Sequence, residues 1–298
     1  MAGLSWPNER GSLTRSDDRN TIPAMPGEQT RRPVSETAAG TEGAARVADV
    51  LLAFLDGPQS LGVSAIARKL GLSKAVVHRI LQALVQRGLL VTDPATRGYR
   101  LSSSTAALGA RALRESDLRS LAVPVLRELQ AATGETTTVS AKVPNGRVYL
   151  DQVESTREIK MTVELGRIFP LYAGSSSTCI LAFLSPADVE TVLAEPLEPL
   201  TDETLRDADA IRDRLTFVRR NGYASSSGER QDGAGAIAAP VFNFAGDVVG
   251  AISVCGPVSR FRGDVRAEFV PALTNAADTI SRGLGWHGGF AALSREGS

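Results

Sequence analysis

One predicted helix carries basic and polar side chains at a spacing suited to contacting nucleic acid. It begins after Ser73 and continues to about Arg87, and its apolar residues recur at helical intervals that bury one face. The candidate contact residues on its other side and at its start are Ser73, Lys74, Ala75, Val76, His78, Arg79 and Gln82. Arginine bridges two acceptors of guanine, while lysine and backbone amides hold phosphate. The alternatives are a solvated face, a surface histidine at His78 and an Arg79 paired within its own domain.

Two further helices and a hairpin surround this helix in the sequence. The first helix spans residues 44–55, and the second begins at Ser64, a suitable N-cap, and ends before Gly71. Gly88 then ends the third helix, and strand-like residues 89–91 and 99–101 flank a turn. Three helices followed by a hairpin predict a winged helix-turn-helix. Arg97 at the hairpin tip would reach a phosphate or the minor groove.

The rest of the chain alternates helices and strands. Residues 104–115 predict a connecting helix with little apolar face. The predicted helices that follow are 117–133, 175–184, a short one after Ser185, 202–221 and 264–284. The predicted strands are 135–143, 147–150, 159–163, 237–242 and 248–254, with Asn145-Gly146 as a hairpin turn. This pattern predicts an α+β fold with a mostly antiparallel sheet that carries helices on its faces.

The residues that could serve catalysis or metal binding are few. The chain has two cysteines, Cys179 and Cys255, and two histidines, His78 and His287. A nucleophilic cysteine needs a nearby base, and neither histidine is convincingly available. No zinc-type spacing occurs, and no Lys-Ser/Thr follows the glycine-rich residues 233–236 as in a phosphate loop. We therefore expect no enzyme activity, no metal, no cofactor and no disulfide.

Ser253 and Cys255 are two residues apart on a predicted strand, so they share one face of the sheet. A serine on an otherwise apolar strand needs a hydrogen-bond partner, and a ligand could be one. The alternative is a serine bonded to backbone beside a small buried cysteine.

Charge is distributed unevenly along the chain. Residues 42–101 hold eight Lys/Arg and four Asp/Glu, whereas the residues after Leu101 hold 20 and 24. A basic first part and an acidic remainder suit a chain in which only the first part meets a polyanion. Residues 1–40 predict a disordered arm without a signal peptide, and its Arg31-Arg32 pair is either solvated or near phosphate. Without a membrane-spanning stretch, we expect a cytoplasmic protein with no membrane partner.

Several co-linear motifs after Gly40 resemble the IclR family of bacterial transcriptional regulators. Residues 71–81, Gly-Leu-Ser-Lys-Ala-Val-Val-His-Arg-Ile-Leu, are similar to that family's recognition helix, including its His-Arg pair. Further matches are Pro170-Leu171-Tyr172-Ala173-Gly174, Gly222-Tyr223-Ala224, Glu229, residues 238–242 and residues 250–257. The resemblance implies a GAF-like effector-binding domain and dimers that pair into tetramers. It also implies effectors that are small organic acids or aromatic compounds.

Matching motif positions imply which residues contact the effector. They are Ser226, Ala236, Ser253 and Cys255, together with backbone groups of the loop at Leu171, Ala173 and Gly174. One departure lies after Gly174, where the family continues with a Gly-Lys-Ala-type helix start and this chain has Ser175-Ser176-Ser177-Thr178-Cys179. The missing lysine removes a charge near the pocket, so the common effector chemistry is not assumed here.

These observations together predict a DNA-binding regulator. The expected parts are a disordered arm (1–40), a winged helix-turn-helix (41–102), a linker helix (103–116), a GAF-like effector-binding domain (117–286) and a flexible tail (287–298). We expect a homodimer or dimer of dimers that binds double-stranded operator DNA, more plausibly as a repressor, under control of a small organic effector. The alternative is a metabolite-binding module whose helix-turn-helix serves dimerisation only.

Overall fold

The structure is a computed structural model that describes residues 39–288, apart from positions 56, 145, 262 and 263. The chain divides into two compact units after Gly43, and of the first unit only residues 39–43, the start of a helix, are described. The predicted arm at 1–40, except residues 39 and 40, which begin a helix, and the predicted tail at 287–298, except residues 287 and 288, therefore lie outside the described residues.

Residues 39–101 form what we call the head. Its helices are α1 (Ala39–Leu52), α2 (Val63–Leu70) and α3 (Lys74–Gln86), and its strands are β1 (Leu90–Asp93) and β2 (Gly98–Leu101). Val77, Ile80, Leu81 and Leu84 of α3 are buried at the predicted helical spacing. They pack against buried residues of the other helices and the hairpin, such as Val50. The head is the predicted winged helix-turn-helix.

The turn between α2 and α3 is held by backbone and cap interactions. Gly71 adopts φ 66°, a left-handed conformation that glycine accepts without strain, and the N–H of Leu72 donates to the carbonyl of Ala67 at 3.0 Å. Ser73 caps α3 as predicted, because its side chain accepts from the N–H of Val76. The prediction that Ser64 caps α2 is wrong. The N-cap of α2 is Gly62, which has no side chain to accept a hydrogen bond, and the helix begins at Val63.

The hairpin of the head pairs β1 with β2 in antiparallel register, with Leu90 opposite Leu101 and Asp93 opposite Gly98. The Asp93 carboxylate orders the turn, because it accepts hydrogen bonds from the N–H of Ala95 at 3.0 Å and from the hydroxyl of Thr96 at 2.8 Å. These bonds hold the tip of the wing in one conformation.

The connecting helix α4 (Ser103–Arg114) has no buried residue. Ser102 caps it by accepting from the N–H groups of Ser104 and Thr105. Leu108 is 59% exposed and Leu113 is 37% exposed. None of the described residues therefore covers an apolar face of α4.

The remaining elements form what we call the body. Its helices are α5 (Asp117–Thr133), α6 (Ser175–Ala182), α7 (Pro186–Ala194), α8 (Ala208–Asn221) and α9 (Asp264–Gly283). Its strands are β3 (Thr136–Val143), β4 (Gly146–Val153), β5 (Ile168–Phe169), β6 (Ala224–Ser227), β7 (Ala234–Phe242) and β8 (Val248–Pro257). The six strands form one sheet in the order β5-β4-β3-β8-β7-β6, with every neighbouring pair antiparallel.

The two faces of this sheet have different coverings. One face packs on α5 and α9, with Leu126, Ile252 and Leu273 among its buried residues. Part of the other face packs on α6, α7 and α8 around residues such as Ile180 and Leu215. Successive residues of a strand alternate between faces, so Ile252 and Val254 meet α5 and α9 while Ser253 and Cys255 point to the opposite side. The predicted α+β fold is confirmed.

Three predicted details of the body are wrong. Residues 159–163 form no strand, because that segment has no ladder partner and its carbonyls and amides bond to side chains, as Met161 does with Thr136. Helix α8 begins at Ala208 rather than at residue 202, because Asp207 caps it by accepting from the N–H of Ala210. Strands β5 and β6 were not predicted.

Candidate functional site

The outward side of α3 is exposed and basic. Lys74, Ala75, His78 and Arg79 are exposed, and the capping residue Ser73 is exposed beside them. Val76 is half-buried and packs on the head core. Because the apolar stripe is fully docked, the helix cannot roll to hide these residues, so the structure brings most of the predicted contact residues onto one open surface.

Gln82 differs from these residues in its exposure. It is half-buried, and its side-chain amide donates to the hydroxyl of Tyr99 on β2 at 3.1 Å. This hydrogen bond links α3 to the wing. Helical periodicity could not have indicated it, because the partner lies on another element. Arg97 lies at the exposed tip of the wing with φ 54°, the only non-glycine residue of the described chain with positive φ.

One basic residue of this surface was missed from the sequence. Arg68 of α2 is exposed and lies beside Lys74 around an open depression at the helix-turn-helix turn, which is also lined by Ser64 and Ser73. Its position in the last turn of α2 is the only sequence signal that points to it, and that signal also fits an ordinary helix C-terminus.

The body contains a cavity between the sheet face carrying Ser253 and the start of α6. The space that a water-sized sphere can occupy in it is about 30 Å³, and the surrounding atom-free space, which includes open solvent, is about 440 Å³. The lining residues are Arg147, Tyr149, Met161, Gly174, Ser175, Ser176, Ser226, Glu229, Arg230, Gln231, Ala234, Gly235, Ala236, Ser253 and Cys255. We call this space the cavity.

Five of the seven predicted effector-contacting residues line the cavity, namely Gly174, Ser226, Ala236, Ser253 and Cys255. The other two, Leu171 and Ala173, do not line the cavity. Ala173 is fully buried, and Leu171 belongs to the core around α6 and borders a different depression. The loop that precedes α6 therefore borders the cavity at Gly174, as do Ser175 and Ser176 at the start of that helix.

Two acceptors meet the backbone donors at the start of α6. The N–H of Gly174 donates to the Glu229 carboxylate at 3.1 Å, and the N–H of Ser175 donates to the hydroxyl of Ser226 at 3.0 Å. Gly174 itself has φ 85° and ψ 156°, which is essentially restricted to glycine. A helix N-terminus favours negative charge, so the Glu229 carboxylate is well placed here.

Arg147 of β4 is the main lining residue that the sequence did not single out. Its side chain is 1% exposed, and its guanidinium donates to the hydroxyls of Ser177 (2.7 Å), Ser140 (3.3 Å) and Tyr149 (3.1 Å). Burial lowers the pKa of Arg147 from its usual value. In the sequence it is an arginine after a hairpin turn, a pattern typical of exposed residues, so nothing indicated its burial.

Ser253 has a partner within the protein. Its hydroxyl and that of Thr138 on β3 are 2.7 Å apart, and both residues are buried. The sequence interpretation left open a ligand or a backbone group as the partner, and the structure supplies a neighbouring side chain instead. Ser253 still borders the cavity, so its hydroxyl, bonded to that of Thr138, forms part of the cavity wall.

Neither thiol is ionised at neutral pH. Cys179 is fully buried, its sulfur lies 3.1 Å from the carbonyl oxygen of Ala238, and burial raises its pKa. Burial also raises the pKa of Cys255 to about 12. The two are free cysteines. Within the described residues, no cluster of three His, Cys, Asp or Glu side chains is arranged to hold a metal ion.

A larger depression lies elsewhere on the body, with about 1020 Å³ of atom-free space lined by residues such as Lys142, Asp188 and Asp247. It is a shallow, open groove. The smaller cavity is enclosed on more sides and holds a buried cation, which is why we take it as the candidate ligand site.

The head and the body together define a helix-turn-helix protein with an appended curled-sheet domain. Two family descriptions match the chain: the IclR helix-turn-helix domain over residues 43–94, and the bacterial transcriptional regulator IclR C-terminal domain over residues 110–282. The chain therefore belongs to the IclR family of helix-turn-helix transcriptional regulators, which confirms the resemblance seen in the sequence.

Relatives support this assignment over most of their length. The chain is 32% identical over 253 residues to the HTH-type transcriptional regulator BhcR of Paracoccus denitrificans, covering 84% of this chain and 90% of BhcR. It is 29% identical over 255 residues to the DNA-binding transcriptional repressor YiaJ of Escherichia coli, covering 84% and 90%.

Solved structures show the same fold. An IclR transcriptional regulator from Alicyclobacillus acidocaldarius matches with a TM-score of 0.71 and 28% identity, over 82% of this chain and 99% of that one. An IclR homolog from Microbacterium hydrocarbonoxydans complexed with 4-hydroxybenzoate matches with a TM-score of 0.64 and 27% identity, over 81% and 98%. None of the helices described for this chain has the length and apolar character needed to cross a membrane.

Proposed function

We propose that this chain binds operator DNA through α3 and the wing and represses transcription until a small organic acid or aromatic compound occupies the cavity. The observation that carries the DNA-binding part is the fully docked α3, whose capped start presents Lys74, His78 and Arg79 to solvent. In a helix-turn-helix, the second helix enters the major groove with its N-terminal residues at the base edges. A protein that binds DNA works in the compartment that holds it, here the cytoplasm.

The proposed roles follow from position. Arg79 would contact base edges, because it projects from a rigid helix. Arg68 and Lys74 flank the turn and would hold phosphates, and Arg97 would reach the backbone or minor groove from the wing tip. Gln82, bonded to Tyr99, would position α3 against the wing in addition to contacting DNA.

The test is DNA affinity as a function of salt, measured with the DNA upstream of the chain's own gene and with unrelated DNA. Neutralising several phosphates makes the logarithm of the binding constant fall with the logarithm of salt concentration by about 0.9 per phosphate. We expect a slope of several units and tighter binding to the upstream DNA. Absence of salt-dependent binding would favour the alternative, a metabolite-binding module whose head serves dimerisation only.

We also propose that the protein is a homodimer or a dimer of dimers. Support comes from α4, which exposes Leu108 and Leu113 and has no buried residue in the described chain. A helix of this kind gains stability when a second copy covers it, since packing supplies most helix stability. Sedimentation of the full chain with Leu108→Ser as the variant tests this, with a weaker dimer expected.

The domain limits that accompany this proposal are 41–102 for DNA binding, 103–116 for the linker and 117–286 for the effector domain. Effector control is supported by the cavity and by the relative that is complexed with 4-hydroxybenzoate. Ser253→Ala should weaken the effector by about 0.5–1.5 kcal/mol if a neutral hydrogen bond is lost. Operator release measured against effector concentration checks this, and unchanged curves would place the effector elsewhere.

A further inference from the structure

Two arginines lie at the cavity without an acidic partner. Arg147 is buried, and its three hydrogen bonds all go to hydroxyl groups, so no described residue supplies it with a counter-charge. Arginine carries five N–H donors, and three of them are used. The guanidinium therefore has two donors left over and a charge that no described residue neutralises.

Arg230 places a second guanidinium against the same aromatic rings. Its central carbon is 5.6 Å from the ring centre of Tyr149 and 4.9 Å from that of Phe169. The corresponding distances for Arg147 are 4.3 and 5.2 Å. The two charges thus sit on one aromatic pair, no more than about 10 Å apart, and among the described residues neither forms an ion pair. Their mutual repulsion contributes to the lowered pKa of Arg147.

The acids near the cavity are already neutralised. Glu229, the lining carboxylate, forms an ion pair with Arg214 at 2.7 Å and accepts from the N–H of Gly174. Glu135, next to the end of β8, pairs with Arg157 at 2.8 Å and with Arg260 at 2.5 Å. Among the described residues, Arg147 and Arg230 are therefore left without a carboxylate partner.

Burying an unpaired charge costs several kcal/mol, so proteins rarely keep one unless it meets a partner of opposite charge. We propose that the effector is a small molecule with two acidic groups, one bound by Arg147 with the Tyr149 hydroxyl and the other by Arg230. This inference rests on the proposed function, because it names the class of effector for the same cavity.

The test compares each diacid with a partner of matching shape that lacks one charge. The pairs are succinate with succinamate, terephthalate with 4-carbamoylbenzoate, and phosphonoacetate with phosphonoacetamide. Binding to the full chain is measured by calorimetry at low salt. In at least one pair we expect the dianion to bind about tenfold or more tightly, the scale of a charge-assisted hydrogen bond. The pair that responds shows whether the second group is a carboxylate or a phosphonate.

The variants assign this preference to the two arginines. Arg147→Gln and Arg230→Gln should each remove about tenfold of the dianion preference. Arg230 is only half-buried, so its variant remains informative if Arg147→Gln fails to fold. The matched control is Arg167→Gln: Arg167 stacks on Phe169 at 5.1 Å from the exposed side, pairs with Glu164 and does not line the cavity, so the preference should be unchanged.

Equal affinity within every pair, or no binding by any of the dianions, overturns the inference. A preference that survives Arg230→Gln, or that Arg167→Gln removes equally, overturns it as well. The proposed function fails separately, through loss of salt-dependent binding of the unmodified chain to DNA. If the chain binds DNA but has equal affinity for both members of every pair, the result contradicts only this inference and leaves the proposed function standing.

Discussion

The arginines of the head are exposed, whereas Arg147 of the body is buried, and the two sets are held by different contacts. Arg79 and Arg97 project into solvent from a helix and a turn. Arg147 is fixed by three hydroxyl groups and two aromatic rings. An exposed cation attracts a polyanion over about a Debye length, and salt screens this attraction. A buried cation forms hydrogen bonds and ion pairs only with a group that enters its cavity. The first arrangement suits a long polymer, and the second suits a small ligand.

This difference predicts different responses to mutation. Changes to exposed groups of the head should alter binding without altering stability. Changes to the contacts of the buried arginine should alter stability as well. The predictions that follow test this contrast, from the largest expected effect to the smallest.

Leu81→Ala should cost about 2–5 kcal/mol of stability, since Leu81 is fully buried in the head core and truncation leaves a cavity. Urea unfolding followed by circular dichroism measures the change. Leu165→Ala, at a residue that is 49% exposed, is the control and should change stability by no more than about 0.5 kcal/mol. Equal losses in both variants would show that α3 is not docked through this residue.

Arg79→Ala should cost about 1–3 kcal/mol of operator binding and relax the preference at one base position. Its thermal unfolding should be unchanged, because the side chain is exposed. Affinity for operator variants, measured by fluorescence anisotropy, checks both points. Unchanged footprints and affinities would mean that another face or another helix contacts the bases.

Ser177→Ala should cost about 1–3 kcal/mol of stability, because it leaves the Nε group of the buried Arg147 without its 2.7 Å acceptor. The same hydroxyl also donates to the carbonyl of Pro170 at 2.7 Å. Ser140→Ala is the matched comparison and should cost less, since its bond to Arg147 is longer at 3.3 Å. The reverse order would contradict the assignment of Ser177 as the main support of the guanidinium.

Arg97→Ala should weaken specific and random DNA alike and lower the salt slope by about one unit. The reason is that Arg97 lies on a turn, which gives it reach towards phosphate but no rigid helix to aim it at a base. Titrations at four salt concentrations measure the slope. A loss of discrimination between sequences with an unchanged slope would assign Arg97 to base contact instead.

Cys255→Ser should have the smallest effect, below about 1 kcal/mol at pH 7, because the new hydroxyl faces a polar cavity. The pKa of the thiol is raised to about 12 from 9.0, so the folded state favours its protonated form. That contribution is fully present below pH 9 and is lost as the pH rises towards 12. The stability of the wild type relative to the variant should therefore fall above pH 9, and a constant difference would refute the burial of this thiol.

The sequence predicted the head better than the cavity for a physical reason. The contact surface of the head is largely one helix, so a 3.6-residue period that buries Val77 and Leu81 also decides which residues face outward. Val76 and Gln82 are the exceptions on this helix: Val76 packs on the head core, and the partner of Gln82, Tyr99, lies on another element. The cavity is assembled from β4, β6, β7, β8 and the start of α6, so its contacts join residues far apart in sequence.

Arg147 illustrates what local sequence cannot show. Its neighbours Val148 and Tyr149 predict a strand, and alternation places Arg147 and Tyr149 on one face, but which face is buried depends on α6 packing above it. The family motifs indicated Gly174 and Ser253, which lie within them, and Ser226, which lies between two of them. Arg147 lies outside every motif quoted from the sequence, so the resemblance gave no indication of it either.

The left-handed backbone of Arg97 has a consequence for the evolution of the wing. A non-glycine residue in this conformation costs about 1 kcal/mol relative to glycine. Arg97→Gly should therefore raise the melting temperature of the head above that of Arg97→Ala, although both variants lack the same charge. If so, the wild-type wing retains conformational strain that a single substitution would relieve. Selection for folding alone would favour glycine at this tip, so the proposed phosphate contact of Arg97 would have to outweigh this cost in stability.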